Sequence, residues 1–104
     1  MPESPLQRDE WLLKRGDETL ARIVVHGIDQ PWFLGRFEPL GGFEVVRGRF
    51  ERELHVLEQK DWAAFEELWA ELRGLGLTLE RPRTGEVAGE FLLHIEGEDA
   101  WFRY

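Results

Sequence analysis

The spacing of apolar residues changes period twice along this chain, and that double switch narrows the possible folds most. It alternates with a strand-like period of two, becomes helical in the middle third, and returns to alternation before the end. Near the start, Trp11–Arg15 and Thr19–Ile28 flank Gly16-Asp17, a hairpin turn signal. In the second segment Ala21, Ile23 and Val25 share one face, opposite Leu20, Arg22, Val24 and His26. Asp29-Gln30-Pro31 turns the chain into Trp32–Glu38, where Phe33, Gly35 and Phe37 oppose Trp32, Leu34 and Arg36. A three-stranded meander is predicted.

Pro39-Leu40-Gly41-Gly42 ends the alternation. Phe43, Val46, Phe50, Leu54 and Leu57 then fall within about 80° on a helical wheel. Gly48 interrupts this stretch and predicts a kink there, or a helix that starts after it. Asp61 is an N-cap candidate for a second helix, Trp62–Arg73, closed by Gly74 and Gly76. Its stripe of Trp62, Phe65, Leu68, Trp69 and Leu72 spans about 120° and is expected to face the core. After it come a short strand, Leu77–Glu80, and a longer one, Val87–Ile95. An acidic turn, Glu96-Gly97-Glu98-Asp99, leads into Ala100–Tyr104. In the long strand Val87, Gly89, Phe91, Leu93 and Ile95 are expected on one face and Ala88, Glu90, Leu92 and His94 on the other. The expected fold class is α+β: an antiparallel β-sheet of about six strands, order βββ-αα-βββ, with a helical hairpin packed on one face. With 104 residues there is room for one domain, 1–104, with residues 1–8 a flexible tail.

The chain has five Trp, seven Phe and one Tyr, enough for a core, and no cysteine. Thiolate chemistry, disulfides and Cys-based metal sites are therefore excluded, and a cytoplasmic, bacterial-type protein is expected. No apolar stretch suggests a signal peptide or a membrane helix. Net charge is −8, of which −6 falls in residues 61–104. Such a surface repels nucleic acid and anionic membranes and favours basic partners.

Candidate chemistry is sparse. His55 falls on the polar side of its helix. His26 and His94 each lie near a strand end on the less apolar face, His26 with Arg22 and His94 with Glu90. Neighbouring strands would make them an acid–base cluster. Arg47–Glu51 and Arg49–Glu53 read as exposed helix ion pairs. There is no zinc or calcium motif and no phosphate loop; no metal and no cofactor is expected. Ser4 is the one serine, and none of Thr19, Thr78 and Thr84 has a recognisable base beside it, which disfavours nucleophilic catalysis. Trp62 and Trp69 are assigned to the core, while Trp11, Trp32 and Trp101 are candidates for the sheet face away from the helices.

These features favour a binder over an enzyme. The expected function is a small acidic protein–protein interaction module, docking a basic partner. Glu66, Glu67 and Glu71 on the second helix, or Glu96, Glu98 and Asp99 in the last turn, are the expected contacts. In size and charge the chain is similar to bacterial immunity proteins and antitoxins, which implies charge-steered encounter with aromatic anchors. The alternative is a small-molecule-binding or enzymatic domain whose pocket is lined by Trp32, Trp101, Arg22, Arg36, His26 and His94. A third arrangement is a homo-oligomer joined through a sheet edge or aromatic face.

Overall fold

The computed structural model describes residues 9–104, so the tail expected over residues 1–8 lies outside it. The strands are β1 (Asp9–Arg15), β2 (Glu18–Asp29), β3 (Trp32–Pro39), β4 (Leu77–Arg81), β5 (Glu86–Ala88), β6 (Leu92–Glu96) and β7 (Asp99–Arg103). A 3-10 turn, Gly41–Phe43, leads into α1 (Glu44–Gln59), and α2 (Trp62–Gly74) follows two residues later. The protein is α+β, with one antiparallel sheet of seven strands in the order β5-β4-β1-β2-β3-β7-β6.

That order forces the sheet to curl. β5 and β6 are opposite edges, yet only Gly89-Glu90-Phe91 joins them. Four residue steps reach at most about 14 Å, whereas six flat strand spacings would separate the edges by about 29 Å. The edges must therefore approach each other. Side chains agree: the Trp11 ring on β1 lies 5.5 Å from Phe102 on β7 and 5.0 Å from Tyr104, across two intervening strands.

The concave side holds the core. Register places Trp11, Ile23 and Phe37 in one row and Ala88, Leu79, Leu13 and Ala21 in another, all buried. Gly35 is required where β3 bends over β2: a Cβ there would sit 2.7 Å from Ile23 Cγ2 and 3.0 Å from the Val24 carbonyl oxygen. The helices complete the core through a run of rings, Phe37–Phe43 (4.9 Å), Phe43–Phe50 (6.0 Å), Phe50–Trp69 (6.3 Å) and Trp69–Phe91 (6.0 Å).

Several expectations are corrected. There are seven strands rather than six, because the stretch expected as one strand over Val87–Ile95 divides to pair with β4 at one edge and β7 at the other. The division also reverses the first faces, so Ala88 is buried and Val87 exposed. α1 runs unbroken through Gly48. Trp62, assigned to the core, is 56% exposed, since it opens α2 one turn before the helix engages its neighbours through Phe65. Trp11, a candidate for the outer face, is 1% exposed at the centre of the curl. Asp61 does cap α2, accepting a hydrogen bond from the Ala64 amide at 3.2 Å.

Candidate functional site

β6 and β7 form a two-residue hairpin in which Glu96 faces Asp99 and Gly97 takes φ +60°, as a glycine in first place of such a turn requires. Phe102 and Leu93 point into the core, so the alternate residues Trp101, Arg103 and His94 share the convex side. His94 lies opposite Trp101, with ring centroids 5.5 Å apart. Trp32 lies 5.2 Å from the same imidazole, and Phe65 of α2 closes a third side at 6.4 Å. Trp62 packs edge-on against Phe65 at 5.8 Å. Arg103 stacks over the far side of the array, 5.2 Å from the Trp32 centroid. The result is a continuous set of rings from the tip of the helical hairpin to the β6–β7 turn.

His94 was expected on a polar outer face beside Glu90. It is instead buried, because the helices reach past the edge strand. Its Nδ1 is 2.7 Å from Oε2 of Glu53 on α1, and Trp69 Nε1–H of α2 donates to the same oxygen at 3.0 Å. Glu53 is fully buried, and its Oε1 has no hydrogen-bond partner among the described residues. The oxygen that accepts from Trp69 accepts a second hydrogen bond from His94 in the tautomer that carries its proton on Nδ1. The expected Arg49–Glu53 pair is therefore absent: Arg49 reaches Glu71 on α2 at 2.7 Å, and Arg47 reaches Glu44 rather than Glu51. The sequence reads Glu53 as half of an exposed helix pair, and no local signal marks it as the buried partner of two residues far along the chain.

His26 is the extra residue of a β-bulge, because Val25 pairs with Gly35 and Gly27 with Leu34. Such bulges re-aim a side chain. Here His26 borders a convex-side groove of about 280 Å³ with Leu34, Trp101, Glu96 and Asp99. Arg36 lies next to His26 and opposite Asp99. The structure thus brings together Trp101, His26, Glu96 and Asp99, with Arg36 at the margin and Trp32 and His94 behind Trp101. Arg22 stands apart, engaged by Glu10 at 2.5 Å and Glu38 at 3.8 Å. Glu66 and Glu67 are exposed on α2, and Glu98 is exposed in the turn, where its carbonyl accepts from the Phe37 amide at 2.7 Å. None of Glu96, Glu98 and Asp99 has a cationic partner among the described residues, whereas Glu71 does.

His55 is exposed. Among the described residues no three His, Asp or Glu side chains gather as a metal site, and no helix is long and apolar enough to cross a membrane. Comparison of the chain with protein-family models, curated proteins and solved structures finds no match.

Proposed function

We propose that this protein is an interaction module that docks a basic protein partner on the convex side of the β6–β7 hairpin. The observation that carries the reading is the ring array itself, which runs from exposed Trp62 through Phe65 and His94 to Trp32 and Trp101 and ends at carboxylates without cationic partners among the described residues. Half-buried aromatics supply apolar contact at low conformational cost and are enriched among residues that dominate binding energy. Glu96 and Asp99 beside Trp101 suit a lysine or arginine laid over the indole, held by charge and by its π face. Glu98 and the −6 balance of residues 61–104 extend the field that steers such a partner. The helix surface is the weaker candidate because Glu71 is already engaged by Arg49.

An arginine-rich peptide serves as the probe, with backbone amide shifts followed by NMR at low and high salt. Saturable shifts at Leu34, Glu96 and Trp101 are expected, fading as salt rises. The double variant Glu96→Lys/Asp99→Lys is expected to weaken binding by about tenfold or more. The same charge change at the β1–β2 hairpin, Asp17→Lys/Glu18→Lys, is expected to leave it within about twofold. Equal losses from the two double variants would reduce the effect to diffuse charge and remove the hairpin as the docking surface.

A further inference from the structure

We infer that the groove at the seam of the curled sheet, between Arg73 and Arg103, binds a small molecule that carries one oxyanion and an apolar body. The groove holds about 430 Å³ and is lined by Arg73, Glu90, Phe91, Leu92, Arg103 and Tyr104. That volume lies within the roughly 300–1,000 Å³ of small-ligand sites. It forms where the chain crosses from β5 to β6, with the end of α2 on one flank and the end of β7 on the other.

Charge is what singles it out. The chain has 21 acidic and 13 basic side chains, yet only six of the twelve cations among the described residues meet a carboxylate. Lys14, Arg22, Arg36, Arg47, Arg49 and Arg81 all have one within 4.0 Å. Arg15, Arg52, Lys60, Arg73, Arg83 and Arg103 have none among the described residues, and of these Arg73 and Arg103 line the same groove from different elements. Arg73 alone would be explained by its place in the last turn of α2, where a cation complements the helix dipole. Arg103 has no such explanation. Its guanidinium lies over the Trp32 ring, which restrains the side chain, and its N–H groups have no hydrogen-bond partner among the described residues. Phe91, Leu92 and the Tyr104 ring provide the apolar wall. Glu90 is the one acidic side chain in the lining, set against two guanidiniums, a balance of side chains that suits a singly charged group.

Two probes test the site: 3-phenylpropionate for a carboxylate and phenyl phosphate for a phosphate ester. Each is titrated into the full chain by NMR, and the amides of Leu92, Arg103 and Tyr104 are followed. Saturable shifts in the low millimolar range with either probe are expected, and which probe binds tighter identifies the oxyanion. Arg73→Gln and Arg103→Gln should each weaken binding about tenfold, the effect of losing one charge-assisted pair. Glu90→Gln should tighten it. All three residues are exposed, so the amide spectra of the variants verify the fold directly. No saturable shift with either probe, or affinities unchanged by both arginine substitutions, would overturn the inference.

Discussion

Glu53 carries a carboxylate at 0% exposure, with Trp69 and His94 as its hydrogen-bond partners. Removing one member of a buried pair leaves the others desolvated and unsatisfied, which is worse than never having had the pair. Glu53→Ala should therefore destabilise the fold by about 3–5 kcal/mol, measured by chemical denaturation. Glu53→Gln, which keeps an acceptor for both N–H groups, should lose clearly less. Equal losses for the two would mean that side-chain volume, not hydrogen bonding, dominates there. Tyr104 gives a pH signature. Burial, and next the hydrogen bond to Glu86, raise its phenol pKa above the ordinary 10.0. A raised folded pKa means that the phenol's contribution to stability is fully present below pH 10 and is lost as pH rises through the folded value. The denaturation midpoint should thus fall above about pH 10, and Tyr104→Phe should flatten that part of the decline.

At the scale of elements, the meander and both helices were legible because their signals are local. The Gly16-Asp17 turn, the Asp61 cap and the two apolar stripes depend on neighbours a few residues away. Burial is less local, and that is why Trp62 was misplaced. Periodicity defines a face but does not say where along a helix the packing begins. Gly48 shows the reverse: its intrinsic penalty of about 1 kcal/mol is outweighed by Val46, Phe50 and Val56 burying the same helix. Gly35 looked like an ordinary member of an alternating strand, yet it is the point at which β3 closes on β2. Gly35→Ala must displace the Val24 backbone or Ile23, and should lower stability by about 1–3 kcal/mol. A neutral result in thermal or chemical denaturation would show that the bend has slack.

For the whole molecule, the curl decides which parts are most protected. β2 pairs on both sides over Ala21–Val25, whereas β5 has three residues and one partner. Amides of Ala21–Val25 should exchange with solvent only by global unfolding, and those of Glu86–Ala88 by local opening at much lower free energy. Native-state hydrogen exchange measures this directly; equal protection of the two would mean that the seam is as rigid as the centre. The candidate site belongs to the same scale. Leu34, Trp101, Glu96, Asp99 and bulged His26 meet because β3 and β7 are neighbours, and no spacing in the chain encodes that adjacency. His94 stands out in the sequence by its place near a strand end on the less apolar face, but its partner on α1 is not legible there, since the contact spans 41 residues.

By itself, then, the sequence determined the kinds and order of most elements, the meander, the helix cap and the acidic character of the later part of the chain. Each follows from local backbone preferences, apolar spacing or simple counting. Only the tertiary structure decided that the long C-terminal strand divides between opposite edges, that the sheet curls, and that Glu53 rather than an exposed pairing takes His94. Those outcomes depend on strand order and on which buried polar groups can satisfy one another, and both are properties of the packed chain.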